Sequence, residues 1–189
     1  MNNAKVALIY GGLGQNGYLL SQFLIKKNYK IFCIVKKLKK SKSNKKISYI
    51  KLNLEKFDLI YKLIRKIKPR EIYNFLGPSD KESFQKKPYF QFKKDYICNL
   101  NTLETIRLLK LKTKLFYCSS SEVFGSDERV VNEKSIRKIE NYYSLTKNMN
   151  ELLISYYRNN YKLNACYGVL FNHDSEFRKK KFLYKILYD

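Results

Sequence analysis

Residues 6–17 read Val6-Ala7-Leu8-Ile9-Tyr10-Gly11-Gly12-Leu13-Gly14-Gln15-Asn16-Gly17. The first five are uniformly apolar, as a strand buried on both faces must be, and the run breaks directly into glycines. Residues 14–28 then carry Leu19, Leu20, Phe23 and Leu24 at the spacing of an amphipathic helix. Strand, GxxGxxG turn and helix in direct succession form a cradle for a pyrophosphate. Gly11 and Gly14 permit a tight turn and close backbone approach, and Gly17 lets the helix press against the strand. Gly12, Leu13, Gln15 and Asn16 complete the loop, where the helix start offers unpaired N–H groups and the positive end of its dipole. Glycine spacing alone is a weak signal. Its position between a buried strand and an amphipathic helix makes it informative.

Outward from this unit the same alternation continues. Residues 30–35 (KIFCIV), 47–52, 71–76 (EIYNFL), 114–118 and 163–171 predict five further strands. Between them, residues 54–67, closed by Pro69, and residues 90–110 and 143–159 have helical spacing. Phe182, Leu183, Ile186 and Leu187 predict a last helix over 178–189. Strands alternating with helices imply an α/β fold: a doubly wound parallel sheet, the Rossmann fold, with helices on both faces. Residues 1–189 are read as one dinucleotide-binding domain, with a Lys-rich loop over 36–46.

Composition supports one domain. The chain has 189 residues, 44% of them apolar and 15% aromatic, enough for one sizeable core and too many for disorder of the whole chain. No apolar run approaches the roughly 20 residues a membrane helix needs. The first residues show no cationic-then-apolar leader, so a cytoplasmic chain is expected. Cys33, Cys98, Cys118 and Cys166 form no CxxC pair and are read as reduced thiols buried near strands. No metal site is expected. The formal charge of +23 comes from 39 Lys+Arg against 16 Asp+Glu. The lysines are scattered along the chain, which reads as a solvated surface rather than as a nucleic-acid footprint.

Cofactor choice is read at the end of the second strand, where an NAD-binding fold usually places an acid for the ribose 2′-hydroxyl. Here Lys36 and Lys37 follow the strand and no acid occurs between Tyr29 and Ile50, so NADP, with its 2′-phosphate, is favoured. Within Asn141–Lys147, Tyr143 stands four residues before Lys147, on the same helix face. A free phenol titrates near 10, and bringing it to neutrality takes about 4 kcal/mol of differential interaction, which a nearby ammonium can supply. Tyr143 is then a candidate base for a hydroxyl proton. The fifth strand ends in Cys118-Ser119-Ser120-Ser121-Glu122-Val123-Phe124-Gly125. In extended backbone Ser120 and Glu122 point the same way, and a hydroxyl beside a carboxylate suits proton abstraction and elimination.

These motifs together resemble the GDP-mannose 4,6-dehydratase family of the extended short-chain dehydrogenase/reductases. The resemblance rests on ALIYGGLGQNG (7–17), KPREIYNFLGPS (68–79), SSSEVFG (119–125), Tyr143 with Lys147, and GVLFNHDSEFR (168–178), the most specific of them. It implies Ser120, Glu122, Tyr143 and Lys147 as catalytic residues, Lys147 also being a ligand of the cofactor ribose. It implies cofactor contacts at the glycine turn, Asn53, Leu54, Leu76, Gly77, Tyr96, His173 and Arg178, and substrate contacts at Ser79 and Asn172. The substrate would be GDP-mannose or a related sugar nucleotide, dehydrated by internal redox. A homo-oligomer would form through helices near 90–110 and 143–159. Residues 172–189 would begin a substrate lobe, largely missing here, that is longer in the family. Departures are Ser120 for the family's Thr, Asn16 and Asn53 for its acids, and Pro78 and Asp80 in the Ser79 segment. The alternatives are a catalytically impaired NADP-binding subunit and a related NAD(P)-dependent sugar-nucleotide epimerase or reductase.

Overall fold

The computed structural model describes residues 4–36, 38, 46–77, 84–126 and 130–177. Six strands, β1 (Lys5–Tyr10), β2 (Tyr29–Val35), β3 (Ile47–Lys51), β4 (Glu71–Asn74), β5 (Lys114–Cys118) and β6 (Ala165–Gly168), form one sheet in the order β3-β2-β1-β4-β5-β6. Every neighbouring pair is parallel. Among the described residues four α-helices connect them: α1 (Gln15–Lys26), α2 (Phe57–Ile67), α3 (Pro88–Leu108) and α4 (Tyr142–Tyr161). The chain winds outward from β1 to β3, crosses back to β4 and winds the other way. The carboxyl ends of β1 and β4 therefore meet at a topological switch point, where such sheets take their ligands.

The apolar runs are buried on both sides, with side chains alternating between two cores. Leu8, Tyr10, Ile72, Leu115 and Tyr117 face α2, α3 and α4, whereas Ala7, Ile9, Ile31, Cys33 and Val35 face α1. On the α1 side a groove of about 530 Å³ lies over Tyr73, Phe75 and Phe116. The sheet is thus covered unequally among the described residues. Helices α3 and α4 join through polar side chains as well: Asn99 Nδ2 donates to Asn150 Oδ1 at 2.8 Å, and within α4 Asn150 Nδ2 donates to the Thr146 carbonyl at 2.9 Å. That face of α3 buries Asp95, Asn99 and Thr102, each of which hydrogen-bonds another group, so its packing depends on paired polar groups.

Several expectations change at the ends of elements. The helix expected from residue 54 begins at Phe57, because Asn53 Oδ1 accepts the Glu55 N–H at 3.0 Å and turns the chain first. Strand β6 spans Ala165–Gly168 rather than 163–171. Cys98 lies on α3 and Cys166 is exposed, so the thiols are not uniformly buried near strands, though all four are free. The helix expected over 178–189 and most of the Lys-rich loop lie outside the described residues.

Candidate active site

The glycine turn sits at the carboxyl end of β1. Gly11 has φ +79°, which favours glycine, and a Cβ there would also lie 2.8 Å from the Phe75 carbonyl oxygen. A Cβ on Gly12 would strike Cys33, and one on Gly17 would lie 2.4 Å from the Gly11 carbonyl oxygen. Gly17 therefore presses α1 onto the turn itself rather than onto the strand, which corrects the sequence reading. Helix α1 begins with no side-chain cap at Gly14 and no acid in its first turn, so its leading N–H groups stay open to an anion. Leu13 and Gly14 are exposed, while Gln15 and Asn16 are half-buried.

Asn16 is tied to the far end of the chain. Its Oδ1 lies 2.9 Å from His173 Nε2, whose Nδ1 is 2.8 Å from the Phe171 carbonyl oxygen. Phe177 packs on Tyr18 with ring centroids 4.7 Å apart. The segment after β6 thus lies across the start of α1, with Asn172 exposed beside His173.

The second group of residues gathers beyond β4 and β5. The Asn141 and Ser144 side chains cap α4 reciprocally, and the helix then carries Tyr143 and Lys147 on one face. Lys147 is buried, and its Nζ donates to Asp95 Oδ2, to the Tyr117 hydroxyl and to the Cys118 carbonyl, each at 3.0 Å. The Tyr117 hydroxyl in turn donates to Asp95 Oδ2 at 3.1 Å. Burial pulls the Lys147 ammonium down, but the Asp95 charge, helped by Tyr117 and Tyr143, outweighs it and holds the lysine well above its ordinary pKa. Burial, then Asp95, raises the Tyr117 phenol, which stays neutral. Lys147 Nζ lies 5.6 Å from the Tyr143 ring centroid, and that ring meets Phe84 edge-on at 5.5 Å.

Ser120 and Glu122 follow β5, but the extended backbone ends at Ser120. Residues Ser121–Phe124 form a single 3-10 turn, and Ser120 Oγ accepts the Glu122 N–H at 3.4 Å. The expected alternation fails because the serine side chain caps a turn that ends the strand. Behind them, the hydroxyl of buried Ser119 bonds the Glu151 carboxylate, which also accepts Arg137 Nε at 3.0 Å. This fastens the segment before α4 to the end of β5.

Of the other expected contacts, Lys36 is exposed just past β2. Leu54 is buried in the core, its carbonyl held by Asn101 Nδ2 at 3.2 Å. Leu76 N–H donates to Asn74 Oδ1 at 3.0 Å, and Gly77 follows with φ +112°. Tyr96 stacks on Phe92. Lys37, Ser79 and Arg178 lie outside the described residues. Sequence reasoning missed Asp95, Tyr117, Arg137 and Glu151. The one available signal for Asp95 was its place one or two turns from Asn99 and Thr102 on a helix too polar on its inner face to pack by apolar contact alone.

The residues fit a dinucleotide. The turn leaves a cradle that a Cβ would fill, and Asp95 Oδ1 is buried with no hydrogen-bond partner among the described residues. No group of three or more potential metal ligands occurs among the described residues.

The family model described as GDP-mannose 4,6 dehydratase matches residues 8–188. GDP-mannose 4,6-dehydratase of Vibrio cholerae is 29% identical over 96% of this chain and 53% of its own. That of Dictyostelium discoideum is 31% identical over 95% of this chain and 55% of its own. The chain therefore spans about half the length of the curated relatives it matches, 53% and 55% in these two. Among solved structures, UDP-glucose 4-epimerase of Thermotoga maritima aligns with a TM-score of 0.77 at 18% identity, over 86% of this chain and 54% of its own. L-threonine dehydrogenase of Clostridium difficile aligns with a TM-score of 0.79 at 20% identity, over 88% and 53%.

Proposed function

The chain belongs to the GDP-mannose 4,6-dehydratase family, and we propose that it takes part in the NADP-dependent dehydration of GDP-mannose to GDP-4-keto-6-deoxymannose. What carries this reading is the Tyr143–Lys147 pair, fastened through the Cys118 carbonyl to the strand end that bears Ser120 and Glu122. The open start of α1, with Gly11–Gly17, would hold the pyrophosphate. Lys36 and Lys37 would face the 2′-phosphate, while Leu76, Gly77 and Lys147 would hold the far ribose. Bound there, a nicotinamide would supply the redox chemistry, reversible hydride exchange with the hexose.

Tyr143 takes the proton of the C4 hydroxyl, with Lys147 stabilising the phenolate that this role needs. A ketone at C4 acidifies the C5 hydrogen, which Glu122 removes. Ser120 and Glu122 protonate the departing C6 hydroxyl, which leaves as water. Tyr143 would return to C5 the proton it took from the C4 hydroxyl, which restores the phenol and balances the loss of water. Asn172 and Ser79 would contact the sugar nucleotide. Exposed Phe90 on α3 and Leu152 and Tyr156 on α4 suit a homo-oligomer formed through those helices. No helix among the described residues is long and apolar enough to cross a membrane.

Incubation with GDP-mannose and NADP⁺ should yield the 4-keto product. Tyr143→Phe should lower turnover by about a hundredfold or more and leave NADP⁺ binding intact. Turnover that survives the substitution removes Tyr143 as the base. Firm NADP⁺ binding without turnover in the unmodified protein favours an impaired dinucleotide-binding subunit instead.

A further inference from the structure

Lysines that look scattered in the sequence gather at one place in the fold. A cavity of about 350 Å³ opens between the turn after α2 and the segment that enters β5, lined by Lys68, Arg70, Lys112 and Lys114. Lysine and arginine are 39 of the 189 residues in the chain but four of the seven that line this cavity. Among the described residues no carboxylate lines it.

The cations are held as one set. The Thr113 hydroxyl donates to the Pro69 carbonyl at 2.6 Å, and the Lys114 N–H donates to the Arg70 carbonyl at 2.9 Å, so the two segments are bonded together at the cavity. Thr113 and Pro69 are buried there, while the four cationic side chains around them are exposed. Glu71 lies 3.8 Å from Arg70 Nε, but its carboxylate already accepts the Tyr29 and Tyr73 hydroxyls at 3.0 and 2.8 Å. A cation after a helix end offsets the open carbonyls, which accounts for Lys68 behind α2. Lys112 and Lys114 belong to no helix, so that account does not reach them.

We infer that this cavity is an anion site whose ligand is a run of linked phosphates. Four like charges fixed around one bowl repel one another, and a ligand that neutralises them together removes that repulsion. A lone phosphate carries too little charge for four cations. An acidic peptide carries enough, but an extended chain turns every second side chain away. Linked phosphates keep all their charges on one short chain, which flexible ammonium groups meet as point charges. The cavity lies at the amino ends of β4 and β5, at the opposite end of the parallel sheet from the glycine turn, so this ligand and a dinucleotide would not compete.

Inorganic triphosphate, titrated calorimetrically into the 189-residue chain with NADP⁺ present, should bind, and more weakly as salt is raised. Lys112→Gln with Lys114→Gln should weaken it about tenfold or more. Lys62→Gln with Lys134→Gln removes the same charge from exposed positions outside the cavity and should leave the affinity within about twofold. All four lysines are exposed, where such substitutions leave the fold intact. Equal weakening by the two pairs overturns the inference, because the net charge of the chain rather than this cavity would then hold the anion. Absence of binding overturns it too. Adenosine triphosphate should show the same dependence on Lys112 and Lys114. An affinity equal to that of triphosphate makes the phosphates alone the ligand, and a tighter one makes it the phosphate tail of a nucleotide. A single-stranded RNA that binds more tightly than either and displaces both overturns the compact ligand in favour of nucleic acid.

Discussion

The two halves of the candidate site are built in opposite ways. At residues 11–17 the site consists of missing atoms: side chains are excluded by the Phe75 carbonyl, by Cys33 and by the Gly11 carbonyl, and what remains is backbone N–H. Around Lys147 it consists of saturation, with an ammonium, a carboxylate, a phenol and a carbonyl bonded together at side-chain exposures of 3% for Lys147 and 1% for Asp95. The first half depends on sterics that a single methyl would violate. The second depends on charges that tolerate removal only as a pair. A fold can therefore lose either half by one substitution, but the rescue differs.

The largest expected effect lies in the charged half. Asp95→Ala leaves the Lys147 ammonium buried without its counter-charge and should cost about 3–5 kcal/mol in urea denaturation. Replacing both partners, Asp95→Leu with Lys147→Met, should restore part of that loss, since no buried charge is then left unpaired, although the Tyr117 hydroxyl and the Cys118 carbonyl lose their partners. If the double variant is no more stable than Asp95→Ala, the cluster is held by packing rather than by charge. Next is Gly17→Ala, whose methyl would sit 2.4 Å from the Gly11 carbonyl oxygen and 2.8 Å from Gly12 Cα, both backbone. The turn cannot yield without moving β1 or α1, so about 3 kcal/mol is expected in the same measurement, and no second substitution nearby should rescue it.

Titration separates the halves further. Lys147 is raised above its ordinary value and Tyr117 is raised too, so the native state holds protons that the unfolded chain gives up near pH 10 to 10.5. Their contribution is fully present below that range. Above it, stability should fall by about 1.4 kcal/mol per pH unit for each proton released on unfolding. The Asp95→Leu, Lys147→Met variant should show a shallower decline in alkaline denaturation. Equal slopes would mean that Lys147 is not held protonated. The glycine turn contributes nothing to this slope.

The same contrast explains what could be read from the sequence. The glycine turn is contiguous, and its strand and helix carry their own periods, so Val6–Gly17 predicts its own conformation. Strand identity was legible for the same reason: residues buried on both faces read as unbroken apolar runs. Element ends were less so, because local side-chain bonds decide them, as Asn53 does before α2 and Ser120 does after β5. In the charged half only Tyr143 and Lys147 share a helix. Asp95 lies 52 residues before Lys147 and Tyr117 lies 30 before it, and nothing local to either marks the meeting. Convergence of this kind is a property of the β4–β5–α3–α4 packing, which the alternation of elements predicts in topology but not in side-chain register.

The smallest expected effect on stability tests whether the glycines of the turn are all of one kind. Gly14 precedes α1 at φ −76° and ψ 165°, backbone that any residue adopts, and it is exposed. A Cβ there would meet only the Gly11 carbonyl oxygen, at 3.2 Å, and otherwise open space. Two minor terms oppose each other: alanine caps a helix less well than glycine, but it stiffens the unfolded chain. Gly14→Ala should therefore change stability by no more than about 0.5 kcal/mol. Binding should respond differently, because the open space beside Gly14 is where a phosphate must come to reach the first N–H groups of α1. Displacing it from one such bond should weaken 2′-phospho-ADP on the order of tenfold. A Gly14→Ala variant as unstable as Gly17→Ala would make the whole turn a steric device of the fold. An unchanged affinity in a stable variant would move the phosphate away from the helix start, leaving the glycines as packing alone.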